Sequence, residues 1–564
     1  MAEILSEAGR HKQNQRLVAL RNIRQPRYNH WRDIVRYVVP YAGRFMVSER
    51  DQAVNRFQDI IDETGAQAVV IVKSSLMSLR TNPSVQWFRS QTPDEELNLY
   101  LPVRKWLWGA DAMARRIIDK SRSNIALPHL YGETAVFGTG ASIVVNDFHK
   151  VIRHNLLTAG EFLIATNSHG EVDTLYREFQ MSVIELVQEF GEENLSDTAK
   201  RLYNGKTRSN WDTLISVVHA IEPRMRAERD GDPRMSKNMP WKSTYFESAS
   251  TEKKYLRVMG HHSFPCIVPR WEVNGGDFWG EGPGTMALGS VRELQEVQLQ
   301  KAKVIDYQSD PPVQIPSGMK GKDGDFLPGG RIPYDQNNPN GGVRNAFDVP
   351  MRLDYAQSNI DDVRGRINKS FFVDRLQPIT DISDTTLRTA TEIRQRQAEG
   401  LIVLGPVDFR FRDELDNKLL DIIYARMFEE NLLPPPPPEL NGMPLDIEFM
   451  GPLAQALKNS QAMAVSDFRR HLGEIADLTQ STGVLDGYDG DADRDRISDM
   501  LGIDPALIVP GEQIALIRQA RAETEKAQAQ IEAMAVQAKT AKDMAGADTS
   551  TQNALTDVMA GISG

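Results

Sequence analysis

The chain has 564 residues, 40% hydrophobic and 25% charged, with a formal net charge of −11 and a pI near 5.6. That length exceeds one simple core and suggests about three to four domain-sized units; no run approaches the roughly eighteen apolar residues of a membrane-spanning helix, and the single cysteine, Cys266, leaves no intrachain disulfide and fits a reducing cytosol. The acidic balance argues against a static grip on nucleic acid over a large surface, because neutralised phosphates supply the affinity of such binders.

The opening residues, MAEILSEAGRHKQNQRLVALR, are too charged for the apolar centre of a secretory signal. The first 120 residues read as mostly helical. Trp31, Ile34, Val35 and Val38 fall at helical spacing before Pro40, and a second amphipathic helix places Ile61, Ala68, Val72, Leu76 and Leu79 on one face. It should end before Asn82-Pro83, since a residue preceding proline avoids the α region. From about 137 to 280 the period becomes two: FGTGASIVVNDF, EFLIATNSHGEVDTLYREFQ, TLISVVHAIEPR, STYFESAS and KKYLRVMGHHSFPCIVPRWEV read as strands. A helical insertion, SVIELVQEFGEENLSDTAKRLYNG, interrupts them, and NGGDFWGEGPG (274–284) reads as a glycine- and aromatic-rich loop.

A helix of about six turns follows, over 285–310, whose narrow stripe (Leu288, Val291, Leu294, Val297, Val304) suggests packing on similar helices rather than in a globular core. Residues 311–351 are dense in turn formers, and helical periodicity resumes over 352–372, so the two helices are expected to lie antiparallel with the module at their tip. DRLQPITDISDTTLRTA (374–390) reads as an exposed loop. The stretch 391–433 reads as one long helix broken at GLIVLGP. The prolines at 434–438 predict a stiff polyproline II spacer. More helix follows in 446–510, then an Ala-, Gln- and Glu-rich helix over 511–545 that is marginal alone, and a disordered tail.

Four chemical signals fail on spacing. SGMKGKDG has Gly318 and Gly321 too close for a phosphate loop, and Asp323 follows Lys322 where Ser or Thr is needed, so it reads as a lysine-bearing turn. His261, His262 and Cys266 lack a second ligand cluster for zinc, and adjacent strand histidines face opposite ways. Asp489, Asp491 and Asp493 imitate a calcium loop, but Arg494 and Met500 stand where Gly and Glu are required. No Gly-x-Ser-x-Gly elbow or HExxH helix is present, so an enzyme is disfavoured and no cofactor or metal is expected.

The stretches RNIRQPRYNHWRDIVRYVVPYAGRF (22–45), DETGAQAVVIVKSSLMSLRTNPSVQWF (62–88), FGTGAS (137–142), GEGPGTMALGSVRELQ (280–295), TATEIRQRQAEGLIVLGPVDFRFRDELDNKLL (389–420) and FMGPLAQALKNSQ (449–461) occur in an order that resembles the portal, or head-to-tail connector, proteins of short-tailed bacteriophages. The likeness spans roughly residues 16–520. It implies an α+β, mainly α fold with wing, stem, clip and crown, assembled as a ring of usually twelve copies at one capsid vertex of the virion, built in the host cytoplasm. Double-stranded DNA would enter through the channel under a terminase motor and leave by it at infection. The implied partners are the terminase, the major capsid protein and a tail adaptor, with no membrane. By this likeness residues 1–284 are wing, 285–310 and 352–373 stem, 311–351 clip, 374–390 a channel loop, 391–433 a long wing helix, 434–445 a linker, 446–510 crown and 511–545 a barrel helix. The competing classes are a packaging ATPase or nuclease, and a capsid scaffold without a channel.

Two expectations follow. A proline inside a helix costs about 3 kcal/mol and a glycine roughly 1 kcal/mol, so a break at Gly405-Pro406 should serve a bend, with Leu401, Ile402, Val403 and Leu404 buried at the elbow; two helices joined by a loop is the alternative. The candidates to meet DNA are Arg292, Lys301, Lys303, Arg364, Arg366, Lys369, Arg375 and Arg388, each of which has the alternative of a solvated or ion-paired charge.

Overall fold

The computed structural model describes residues 7–45, 59–205, 207–229, 231–232, 234–248, 254–316, 330–334, 344–345, 353–376, 403–440, 442–451 and 511–545, with isolated positions between 468 and 509. The fold is α+β and mainly helical. It divides into two compact units: Met1–Gln91, Gly109–Pro435 and Leu445–Tyr488 form the first; Thr92–Trp108, Pro436–Pro444 and Asp489–Gly564 form the second.

In the first unit, α1 (Glu7–Tyr37) buries Trp31, Ile34 and Val35, with Val38 just beyond its end. Pro26 sits inside α1 on its exposed side. The arginines of α1 meet acids on the neighbouring β structure: Arg16 lies 3.5 Å from Glu222, Arg21 pairs with Glu178, and Arg27 pairs with Glu281. α2 (Thr64–Arg80) buries Ala68, Val72 and Leu76 and stops before Asn82-Pro83; Ile61, expected on its buried face, precedes the helix and is exposed.

α5 (Ser123–Phe137) is buried almost all round. It ends at Gly138, whose φ of +81° is the left-handed conformation that closes a helix at low steric cost only for glycine. A Cβ there would stand 2.1 Å from the Gly280 carbonyl oxygen, and one on Gly284 would stand 2.3 Å from that of Val136. The glycines of FGTGAS and GEGPG thus let the loop before the next long helix lie directly on the end of α5.

Two antiparallel sheets complete this part. β3 (Val151–Leu157), β2 (Ala141–Asp147) and β9 (Cys266–Ile267) pair in that order. β4 (Phe162–Thr166), β5 (Val172–Ser182), β6 (Leu214–Pro223), β7 (Trp241–Glu247) and β8 (Arg257–His261) form a meander. Between β5 and β6 the chain makes the helical excursion α6 (Val183–Phe190) and α7 (Asp197–Tyr203), started by a capping box between Ser182 and Glu185. β1 (Phe88–Gln91) pairs antiparallel with β13 (Asp446–Phe449).

α8 (Pro283–Ser309) begins with proline in its first turn, where a missing N–H costs little. Val291 and Leu294 join the same core as Trp31, Val72 and Phe137, which corrects the expectation that α8 avoids a globular core. Its stripe reaches that core only in its first half, because Gly138 and Gly284 bring the start of α8 against α5; beyond it Leu299 and Ile305 are exposed. The module after α8, expected to be irregular, contains a small sheet of β11 (Arg331–Tyr334), β10 (Val313–Pro316) and β12 (Arg344–Asn345), in that order. α9 (Leu353–Ser370) follows, then a turn through Phe372 (φ +58°) and α10 (Val373–Leu376). Residues 374–376, expected in a loop, are therefore helical, with Leu376 buried in the core.

The helix we call α11 runs through Gly405–Phe411, a π-helical segment Arg412–Asn417, and Lys418–Glu429. In the second unit, Asp94 caps the short α3 (Glu95–Leu99), and the pentaproline enters a 3₁₀ turn at Pro438–Leu440. The long α12 (Gly511–Ala545) leaves Leu516, Ile517, Ile531 and Met534 exposed. The lysine-bearing turn at 317–324, the acidic residues Asp489, Asp491 and Asp493, and the tail 546–564 lie outside the described residues. Among the described residues no helix is long and apolar enough to cross a membrane, and no His, Cys, Asp and Glu group is placed to hold a metal.

Candidate channel-lining helices

α8 and α9 lie side by side in the first unit, and side chains fix their direction. Lys301 donates to Gln357 at 2.8 Å, and Arg366 donates to both carboxylate oxygens of Glu293 at 2.9 and 2.8 Å. Following α8 forwards means following α9 backwards, so the pair is antiparallel. Val291 and Leu294 face Ile360, Val363 and Ile367 in one apolar cluster.

The pair is tied to the body through Asp62, just before α2. Its Oδ1 accepts from the Thr64 backbone at 2.9 Å and the Thr64 hydroxyl at 2.5 Å. Its Oδ2 accepts from Gln298 of α8 and Arg364 of α9, both at 2.8 Å. Gln295 adds a backbone clamp, accepting from the N–H groups of Ile61 and Asp62 at 2.7 and 2.9 Å while donating to the Asp62 carbonyl at 2.9 Å. Burial disfavours ionisation of Asp62, but the donors Thr64, Arg364 and Gln298 outweigh it and hold the carboxyl below its usual range. None of this was read from the sequence, although Asp two residues before Thr at a helix start is a signal for such a turn.

The eight basic candidates therefore separate. Arg364 is committed to Asp62, Arg366 to Glu293 and Lys301 to Gln357. Arg292 lies over the Tyr37 ring at 5.4 Å. Lys303, Lys369 and Arg375 are exposed and make no side-chain hydrogen bond or ion pair among the described residues. Arg388 lies outside them, as do residues 391–402 with Leu401 and Ile402.

Gly405 and Pro406 open a helix rather than interrupt a described one, with Leu404 as its N-cap. Here the proline's missing N–H is one the helix would leave unpaired anyway. Leu404 is buried as expected, whereas Val403 is 55% exposed, because the chain turns at 403–404 and aims only one of the two side chains inward. The irregularity lies further on, in the π segment. Asp408 and Asp416, on either side of Phe411, both pair with the buried Arg80 of α2, and Glu414 binds Arg270 through the backbone N–H at 2.9 Å and Nε at 3.0 Å. Burial lowers the proton affinity of Arg80, but Asp416 and its other partners prevail and raise it, so the guanidinium stays charged in the core.

A family model described as bacteriophage head to tail connecting protein matches residues 10–509. The chain belongs to that family. It is 42% identical over 545 residues to a "Probable portal protein" of Bordetella phage BPP-1, covering 97% of each chain. It is 35% identical over 556 residues to a "Portal protein" of Salmonella phage epsilon15, covering 98% of each. A solved chain from the neck of an empty gene transfer agent particle overlaps 82% of this chain and 96% of its own at 11% identity, with a TM-score of 0.37, and bears on neither fold nor function.

Proposed function

We propose that copies of this connector close into a ring, twelve by the family likeness, at one vertex of a phage capsid, and that double-stranded DNA passes through its centre. The observation that carries this reading is the match, along nearly the whole chain, to two relatives called portal proteins. In the ring α8 and α9 act as the stem, residues 311–351 as the clip that meets the terminase and later the tail adaptor, and residues 374–390 as a loop towards the channel. Residues 1–284 and 391–433 make the wing, which faces the major capsid protein; 446–510 form the crown, and α12 from each copy joins a barrel that covers its exposed leucines and isoleucines. The protein conducts DNA and catalyses no reaction.

A channel must pass DNA without adhering to it. Each neutralised phosphate steepens binding and its salt dependence, and a ring multiplies that by its copy number. The separation of the basic residues suits this need: Lys301, Arg364 and Arg366 serve the helix pair, leaving Lys303, Lys369 and Arg375 as the few loosely held charges to meet phosphate. Electron microscopy of the purified protein tests the ring. Annular particles with a central hole are expected; single compact particles at micromolar concentration would overturn the reading.

A further inference from the structure

Between α1 and β5 lies a cavity of about 310 Å³, and three arginines border it: Arg24 of α1, Arg44 just beyond α1, and Arg177 of β5. Arg24 is buried, and its Nη1 donates to the carbonyl oxygens of Gly160 and Phe162 at 2.6 and 3.0 Å. Its Nη2 and Nε make no hydrogen bond, and the side chain makes no ion pair, among the described residues. A buried guanidinium with half of its donors unused is short of an acceptor.

The carboxylates around the cavity do not supply that acceptor. Arg44 and Arg177 share a single oxygen, Glu161 Oε1, each at 3.5 Å, well beyond the roughly 2.7–2.9 Å of a charge-assisted bond. Glu178 is taken by Nε and Nη2 of Arg21, and Glu185 accepts from the Ser182 N–H at 2.8 Å as part of the cap of α6. Three guanidiniums are thus left with one carboxylate. Burial lowers the proton affinity of both Arg24 and Arg177, the direction taken by cations that lack a counter-charge.

We propose that this cavity binds a phosphate-type oxyanion between Arg24, Arg44 and Arg177. The planar guanidinium fork matches carboxylate and phosphate alike, but three forks offer more donors than the two oxygens of a carboxylate can take, whereas phosphate presents more. The volume exceeds the roughly 30 Å³ share of one water severalfold, which leaves room for a phosphate group. Free phosphate and the terminal phosphate of a DNA strand carry this same chemistry. The site lies within one copy, so it stands whether or not copies close into a ring.

The test is calorimetric titration of the full chain with inorganic phosphate at constant ionic strength. One site per chain is expected, with a dissociation constant below about 1 mM. Arg44→Gln, at an exposed position, keeps the circular dichroism of the parent and weakens binding about tenfold, the scale of a hydrogen bond to a charged group; Arg24→Gln abolishes it. A short duplex bearing a 5′-phosphate that displaces inorganic phosphate supports the site with a DNA end as its ligand, and one that does not supports it with free phosphate. Absence of both binding heat and thermal stabilisation at about 10 mM phosphate would overturn the proposal. Binding that Arg44→Gln and Arg24→Gln leave unchanged would overturn it equally, because the anion would then sit elsewhere.

Discussion

The first and second halves of α8 live under different physics. From Pro283 to Gln295 the helix is part of the body, with Val291 and Leu294 in the core and Gln295 clamping the backbone before α2. From Gln298 onward Asp62, Gln357 and the facing helix hold it, and Leu299, Lys303 and Ile305 look outward. In the body, several buried charges are ion-paired: Arg80 with Asp408 and Asp416, Arg270 with Glu414. On α8 and α9 the charges are mixed: Arg364, Arg366 and Lys301 are held by Asp62, Glu293 and Gln357, while Lys303 and Lys369 are exposed and make no side-chain hydrogen bond or ion pair among the described residues. Buried pairs fix a structure because breaking one strands the other charge, whereas exposed pairs contribute little. The first region serves architecture, and the second is free to be shaped by what passes it.

The largest expected effect falls in the body. Arg80→Ala leaves Asp416 buried without its ion-pair partner and Asp408 with Arg412 alone, and should cost about 3–5 kcal/mol in chemical denaturation; a loss under about 1 kcal/mol would erase the contrast.

Next is Glu133 of α5, whose oxygens accept from the Thr158 hydroxyl at 2.9 Å and the Ala159 N–H at 3.1 Å. Burial, against those two bonds, pushes its carboxyl up from 4.5 to about 7. The folded protein therefore keeps a proton that the unfolded chain has released. Stability is full below about pH 4.5 and falls as pH rises to 7, by about 3 kcal/mol at most. Glu133→Gln should flatten that slope in a series of melts across this window.

Asp62 behaves in the opposite sense. Its lowered carboxyl contributes stability above the usual aspartate range, which is lost as pH falls through the folded value. Asp62→Ala should cost about 2 kcal/mol, the scale of hydrogen bonds to a charged group, and should loosen α8 and α9 in hydrogen exchange before it affects α5.

Smaller still is Arg366→Ala, which removes an exposed pair with Glu293 and should change stability by less than about 1 kcal/mol. The combined change of Lys303, Lys369 and Arg375 to Ala should leave melting unchanged within about 0.5 kcal/mol while reducing the salt sensitivity of DNA retention in filled particles. A marked loss of folding stability instead would move these residues to the architectural side.

Much of the fold was legible because its signals are local. Trp31 to Val38 repeats at helical spacing, and the runs of β4 to β8 are short, apolar and β-branched between turn formers, although β4 and β6 are buried on successive residues rather than alternately. α5 carried no such signal: it is buried on nearly every side, so SNIALPHLYGETAVF has no polar face to reveal a period, and Pro128 lies inside it. β3 was missed because VIRHNLL alternates weakly, with His154 turned inward to Ser123 and Ser142. The candidate site was legible only as a set of basic residues on two helices. Which of them are occupied depends on partners such as Asp62, far from Arg364 in sequence, and no spacing rule reports a contact of that range. The π segment was equally hidden, because its acids answer Arg80 and Arg270 in distant elements.

The claim that the distal helix pair meets DNA is tested most directly by photochemistry in filled particles. A benzophenone side chain placed at Lys303 is compared with one at Met259, which is exposed on β8. Cross-links to DNA at 303 and none at 259 are predicted; cross-links at 259 with none at 303 would contradict the account.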